Sequence, residues 1–343
     1  MQRKTISVLV ALSVSVALLI SGCGGGNQAP SNQGSEQKQE GPIVLKLGHV
    51  LNEASPLHKG AEKFASLVQE RSQGRLEVKI FPNGQLGNDR TLAEAVQMGT
   101  VDMEVCGTAT VVGFVPRLQL FDLPFLFSSH EHAYKVLDGP VGAEVLKDFE
   151  QKGIVGLAYW ENGLRHLTNS KRPVKTPEDV KGLKIRVQEI PLHVSFWKLL
   201  GADATPMAWS EVYTALQQKT VDGQENPIQT IYTQKIYEVQ KYLSMTGHVY
   251  APAALLISKK TWDKLPDDLK KVIADAAKET APWQRNYVKD LEDKALNELP
   301  TFGMQIEANP DREAFKKAVQ PVYDEYVTKL NAKALMDQIL NTN

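Results

Sequence analysis

Three short stretches of this 343-residue chain carry side chains suited to binding a small polar molecule. In Lys181-Gly182-Leu183-Lys184-Ile185-Arg186-Val187, Arg186 falls in a strand-like run among apolar neighbours. A guanidinium turned inward from a strand is costly unless a carboxylate meets it, and its flat fork suits that partner. The partner is either an internal Asp or Glu or a carboxylate brought by a ligand; composition does not choose. In Pro206-Met207-Ala208-Trp209-Ser210-Glu211-Val212-Tyr213, an aromatic stands directly before a helix start at which Ser210 is the expected cap. Helix N-termini offer unpaired N–H groups and a positive dipole end to an anion. Trp209 reads equally well as a packing residue. In Val221-Asp222-Gly223-Gln224-Glu225-Asn226-Pro227, polar residues end a strand and Gly and Pro shape the turn. This is a hydrogen-bonding platform or a solvated loop. Adjacent strand residues face opposite ways, which argues against an acid–base pair here.

Other chemistry is poorly represented. The sequence has no Gly-x-Ser-x-Gly, no Gly-x-x-x-x-Gly-Lys-Ser/Thr and no His-Glu-x-x-His. His130-Glu131-His132 has no further ligand cluster nearby and reads as a solvated helix start. Of the two cysteines, Cys23 ends an apolar leader and Cys106 lies in a strand-like run, so no disulfide framework or cysteine zinc site follows. Lys+Arg is 39 against 40 for Asp+Glu. Without a basic excess, nucleic acid is not an expected partner. No metal and no cofactor is expected.

Arg3 and Lys4 precede an apolar run from Ile6 to Ile20, long enough for a signal segment and short for a membrane span. It ends Ile20-Ser21-Gly22-Cys23, which resembles the lipobox of bacterial lipoproteins. The resemblance implies a signal peptide over residues 1–22 and lipidation of Cys23. Residues 23–42 are rich in Gly, Ser, Asn and Gln and lack aromatics. They cannot bury enough apolar area to offset ordering, so a flexible tether is expected. The expected location is extracytoplasmic, lipid-anchored in the periplasmic space or on the outer face of the cytoplasmic membrane.

The body alternates strand-like and helix-like segments. Ile43–Val50, Leu76–Ile80 and Val101–Cys106 read as strands; Ser55-Pro56 opens one intervening helix and Thr91–Met98 forms the other. The order β-α-β-α-β predicts a mostly parallel sheet. It recurs over Leu183–Gln188, Pro191–Leu200, Ala204–Pro206, Ser210–Gln218 and from Val221. Ala95-Val96-Gln97-Met98-Gly99-Thr100-Val101-Asp102 and Ala215-Leu216-Gln217-Gln218-Lys219-Thr220-Val221-Asp222 match at five of eight positions. Two similar α/β lobes with a cleft between them are therefore expected. Pro266-Asp267-Asp268 opens a long helix to about Glu298, which Pro282 should bend. A last helix is expected from near Pro310, its apolar stripe running from Phe315 to Tyr326.

The three opening stretches, together with Phe81-Pro82-Asn83-Gly84-Gln85-Leu86-Gly87-Asn88-Asp89-Arg90, Leu123-Pro124-Phe125, Asn162-Gly163-Leu164-Arg165 and Thr168-Asn169-Ser170-Lys171-Arg172-Pro173, resemble the solute-binding proteins of TRAP transporters, the DctP family. The resemblance covers essentially the whole body. It implies a two-lobed, periplasmic-binding-protein-like α/β fold with a ligand cleft between the lobes and a long bent helix bracing both. Lobe I would comprise 43–164 plus about 252–291, and lobe II 165–251 plus about 292–343. By the same resemblance Arg186 clamps the ligand carboxylate, Arg165 is a second arginine near it, and Trp209 and Asn226 line the cleft. Gln188, followed by Glu189, could meet ligand hydroxyls; Glu225 and His49 complete the candidate set. Where the sialic-acid branch has a glutamate, this chain has Val105-Cys106-Gly107-Thr108, which argues against sialic acid. The expected ligand is a small organic acid, a sugar acid or a C4-dicarboxylate, and the expected partner a TRAP membrane permease driven by an ion gradient. Two other classes stay open: a ligand-reporting subunit of a sensor kinase, and a secreted lipoprotein enzyme, against which the missing nucleophile motifs count.

Overall fold

The computed structural model describes residues 41–342; the leader, Cys23 and the tether up to residue 40 lie outside the described residues. The strands are β1 (Ile43–Gly48), β2 (Leu76–Phe81), β3 (Met103–Gly107), β4 (Ile154–Asn169), β5 (Lys184–Val187), β6 (Asp203–Pro206), β7 (Gly223–Pro227), β8 (Tyr242–Ser258) and β9 (Gln305–Glu307). The helices are α1 (Pro56–Arg71), α2 (Asp89–Met98), α3 (His130–Asp138), α4 (Pro140–Lys147), α5 (Pro191–Leu199) and α6 (Trp209–Gln217). They continue as α7 (Ile228–Thr233), α8 (Lys259–Lys264), α9 (Asp267–Glu298), α10 (Arg312–Val319), α11 (Pro321–Lys329) and α12 (Lys333–Asn341).

The repeat seen in the sequence is a repeat of topology. β1 pairs in parallel with β2 and β3, and β5 pairs in parallel with β6 and β7. In each copy the matching aspartate ties off the central strand. Asp102 Oδ2 accepts from Lys46 N at 2.9 Å, and Asp222 Oδ2 accepts from Lys184 N at 3.0 Å. The left-handed residue that closes the preceding helix is Gly99 in one copy (φ 76°) and Lys219 in the other (φ 59°).

The expectation of a mostly parallel sheet needs correction. One mixed sheet runs β2-β1-β3-β8-β4-β7-β5-β6, with β9 on β8. The 16-residue β4 and 17-residue β8 lie antiparallel to each other between the two parallel triplets. β8 is buried on both faces over most of its length, so it lacks the alternation that marks a half-exposed strand. The single last helix is also three: Pro321 starts α11 and Asn331, at φ 47°, separates α11 from α12. α12 reaches α4, and His132 Nε2 lies 2.9 Å from Ile339 O.

Helix α9 is continuous through Pro282 over 32 residues, about 48 Å at 1.5 Å per residue. Leu269, Ile273, Ala276 and Ala277 pack into the core that holds β1 and α1. At the other end Ala295 packs with Val212 and Ile231, from α6 and α7. Midway, the buried Gln284 pins β4. Its Nε2 donates to Glu161 O (2.8 Å), and its Oε1 accepts from Glu161 N (2.9 Å). The residue opposite Glu161 on β8 is Pro252, which has no N–H to offer, so the helix supplies what the ladder cannot.

Gln284→Ala would leave both Glu161 backbone groups unpaired in the core. At about 1–3 kcal/mol per stranded group, urea denaturation should show a loss of about 2–6 kcal/mol; a loss below about 1 kcal/mol would mean water replaces the amide. A second expectation concerns acid. His166 is buried, and its Nδ1 accepts from Gly247 N at 3.0 Å. Burial, with His248, Arg312 and His130 adding to it, pulls this histidine down to about 3. Its folded value lies below its unfolded value of about 6.5, so the unfolded chain binds more protons below that pH. Stability should therefore fall as pH drops from about 6.5 towards 3, by about 2 kcal/mol at pH 5 from this group. Denaturation curves of His166→Gln should show a shallower slope over that window.

Candidate functional site

The parallel strands of both triplets end at a cavity of about 530 Å³, within the range of small-molecule sites. Three helices begin at its wall: α2 with its cap Asn88, α5 with Pro191 and α6 with Trp209. Their N–H groups and dipoles favour an anion there. Ser210 is not the cap of α6. The N-cap is Ala208, without a side-chain bond, and Trp209 is the first helical residue. The first-turn N–H groups thus keep no side-chain cap at the end that meets the cavity.

Arg186 leaves β5 into this wall and is 4% exposed. Its Nε and Nη2 both donate to Met207 O, at 2.9 and 2.6 Å, and its guanidinium carbon lies 5.8 Å from the Trp209 ring centre. The carbonyl orients the fork and the ring covers one face of it. Among the described residues Arg186 forms no ion pair, so the internal carboxylate considered from sequence does not meet it. Burial pulls it down to about 10, with Glu225 opposing, so it stays charged at neutral pH. Asn226, Gln188 and His49 share the wall. Asn226 Nδ2 donates to Gln224 Oε1 (2.5 Å), and Gln188 Oε1 has no partner among the described residues. His49 Nε2 lies 3.0 Å from His58 Nδ1, and His58 Nε2 lies 3.2 Å from Glu62. Burial, with His58 beside it, pulls His49 down to about 4, so it stands there neutral.

Arg165 and Glu225, read from sequence as ligand contacts, do not line the cavity. They lie behind the wall and hold each other. Arg165 Nε donates to Glu225 Oε2 (2.5 Å), and its Nη2 to Glu225 Oε1 (2.8 Å) and O (2.6 Å), with both side chains fully buried. The reason is strand geometry: Glu225 and Asn226 are neighbours on β7 and face opposite ways. His248 Nε2 adds a contact to Glu225 Oε2 at 3.1 Å, and His193 stands between Glu225 and Asp122 at 4.0 and 3.7 Å. Burial pushes Asp122 up to about 8 and His193 down to about 3, so both sit neutral beside the charged pair.

Other cavity residues escaped the sequence reading. Asn88 and Asp89 come from the start of α2, Asn162 from an irregular step of β4, Gln119 from the turn after β3 and Thr230 from α7. Asn88 carried a local signal, an amide directly before a helical run; its Oδ1 accepts from Thr91 N at 2.9 Å. The others carried none.

The model of the DctP family, described as bacterial extracellular solute-binding protein family 7, matches residues 47–330. The 2,3-diketo-L-gulonate-binding periplasmic protein of Escherichia coli is 40% identical over 80% of this chain and 84% of its own length. The C4-dicarboxylate-binding periplasmic protein of Rhodobacter capsulatus is 36% identical over 86% of this chain and 89% of its own. A TRAP periplasmic solute-binding protein from Polaromonas, solved bound to D-erythronate, superposes with a TM-score of 0.85 at 43% identity, covering 88% of this chain and 99% of that one. The two-lobed α/β architecture, the paired parallel triplets and these matches make this chain a member of the DctP family, the extracytoplasmic solute-binding proteins of TRAP transporters.

Proposed function

We propose that this protein captures a small organic acid, a sugar acid or a C4-dicarboxylate, in the cavity and hands it to a TRAP membrane permease. The observation that carries this is Arg186: a buried guanidinium, aimed by Met207 O, faced by Trp209 and without an ion pair among the described residues. A ligand carboxylate completes it, and the starts of α2, α5 and α6 favour the same charge. Relatives at 40% and 43% identity are named for, or solved with, hydroxylated acids, and another for C4-dicarboxylates. The lobes that close on the ligand are 43–164 plus about 252–291, and 165–251 plus about 292–343. The role is capture without turnover, and Cys23 carries the lipid that keeps the protein near the permease.

Calorimetric titration with D-erythronate and with succinate tests the clamp. Arg186→Ala removes two charge-assisted bonds at about 1.5–3 kcal/mol each, so affinity for whichever acid binds should fall at least about 100-fold. Arg186→Lys keeps the charge and loses the fork, and should recover only part. Binding by Arg186→Ala within about threefold of wild type would show that another group holds the carboxylate. For the anchor, Cys23→Ala should leave affinity unchanged and release the protein from the membrane fraction. Equal membrane retention with normal leader cleavage would rule the lipid out.

A further inference from the structure

A row of three side chains runs from the cavity wall to the surface of α1. His49 follows β1 on the wall, and His58 and Glu62 lie one turn apart on one face of α1. Nε2 of His49 is 3.0 Å from Nδ1 of His58, and Nε2 of His58 is 3.2 Å from Oε1 of Glu62. Both rings are buried, whereas Glu62 is exposed. Both are also fixed at the backbone. His49 N donates to Phe81 O (3.1 Å) and His49 O accepts from Gly84 N (3.0 Å), while His58 N donates to the cap Ser55 (3.2 Å). The row leaves one ring nitrogen over: among the described residues Nδ1 of His49 has no partner.

The row can hold its protons in only one order. Burial would raise Glu62, and Lys59 and His58 outweigh it, so the carboxyl lies below its ordinary range and is ionised at neutral pH. An ionised carboxylate only accepts, so His58 carries a proton on Nε2. Nδ1 of His58 then accepts, and the proton between the rings belongs to Nε2 of His49. With one proton on each ring, Nδ1 of His49 is a lone pair. A third proton has one place left, and that is Nδ1 of His49. Burial first and His58 second pull His49 down to about 4, so it resists a charge of its own. The row removes that cost. The proton between the rings moves from Nε2 of His49 to Nδ1 of His58, and the positive charge rests on His58 beside the Glu62 carboxylate. His49 is left neutral, with an N–H in place of its lone pair. Only N–H bonds form and break, and the added proton comes from bulk solvent.

We infer that the His49–His58–Glu62 row couples capture of an anion to uptake of one proton, turning His49 from a hydrogen-bond acceptor into a donor on the cavity wall. The inference rests on the acid-capture reading above and deepens it. A carboxylate oxygen accepts and does not donate, so a lone pair on the wall opposes it and an N–H meets it. Coupling is reciprocal: a ligand that favours the protonated row is bound more tightly as pH falls. The other charged groups on the wall are Asp89, Arg90 and Glu94 of α2, with Arg186 and Glu189 from β5 and the turn after it. On α1, Lys59 shares Glu62 with His58, at 2.9 Å. On α9, which packs along α1, Glu279 and Asp268 are taken by Arg71 and Arg75 at the far end of that helix. Asp89, raised by burial to about 7, is the competing place for a proton, and substitutions in the row separate the two.

Calorimetric titration of D-erythronate and of succinate at pH 7.5, repeated in buffers of different ionisation enthalpy, reads the proton uptake. For whichever acid binds, the wild type should take up at least about 0.3 proton per ligand, which strengthens binding at least about twofold from pH 8.0 to 7.0. His58→Gln interrupts the row and should cut the uptake to less than about a third. Glu62→Gln removes the charge beside His58 and keeps the size, and should at least halve it. Nitrogen NMR of histidine-labelled protein should show Nδ1 of His49 changing from lone pair to N–H as the acid is added. Melting curves confirm that each variant is folded; where His58→Gln does not fold or does not bind, Glu62→Gln and the NMR decide. Binding heat that does not depend on the buffer overturns the inference and leaves acid capture standing. So does an uptake that the variants leave unchanged, which places the proton elsewhere, as on Asp89. A wild type that binds neither acid overturns the inference together with the reading on which it rests.

Discussion

The geometry of the site depends on one fully buried ion pair, Arg165 of β4 with Glu225 of β7. Taking two charges out of water costs several kcal/mol per ion, and such a pair persists only when its hydrogen-bonding needs are largely met. Arg165 gives three bonds to Glu225, and His248 adds a contact to the same carboxylate. Burial alone would raise Glu225; Arg165 and His248 outweigh it and hold the group well below the usual carboxylate range. Because successive strand residues face opposite ways, turning Glu225 back into this pair turns Asn226 towards the cavity. The pair also ties β7 to β4 at the step between Arg165 and Leu167 where the β4–β8 register shifts.

Register shifts fall at Gly156/Ala158, at Glu161/Gly163 and at Arg165/Leu167, the last within the stretch of β4 that pairs with β7. Ladder bonds are interrupted there, and polar pins from outside the sheet take their place. Gln284 holds Glu161, and Arg285 reaches Tyr159 O (3.2 Å) while forking Asp138 (2.6 and 2.8 Å). Helix α9 thus contacts the crossing strands through directional bonds at its middle and apolar cores at its ends. A few hydrogen bonds at a strand crossing can re-form after a small rotation more readily than a packed core can. This suits a two-lobed binder whose cavity lies between its parallel triplets.

The cavity itself is electrostatically lopsided. Arg186 and the start of α6 favour an anion, while Asp89, at the start of α2, and Glu189 place acidic groups on the same wall. His49, on the wall, is held neutral by burial, and Arg165 and Glu225, behind it, neutralise each other. Among the described residues, what remains on the wall is Arg186, a cation without an ion pair, together with acceptors.

Much of this was legible in the chain. Local signals suffice for α1, capped by Ser55 and started by Pro56, for α9 from Pro266 onward, and for the two parallel triplets, whose shared Thr-Val-Asp turn ties off each central strand. The positions of Arg186, Trp209 and Asn226 on the cavity wall also follow the order of motifs. The two long strands were not legible: residues buried on both faces lose the alternation that identifies a strand, and β8 reads as a plain apolar run over Val249–Ile257. Nor was the division of labour between the two arginines. Arg165 and Arg186 look alike as sequence, each in or beside a strand. Only the pairing of β4 with β7 brings Glu225, sixty positions away, onto Arg165, while Arg186 has no ion pair among the described residues. Asp89 was equally opaque, because only the folded chain buries it and sets Arg186 and Glu189 around it. Patterns along a chain report which face a residue occupies, but which charge meets which is settled by strand pairing across long loops, and that is a property of the tertiary structure alone.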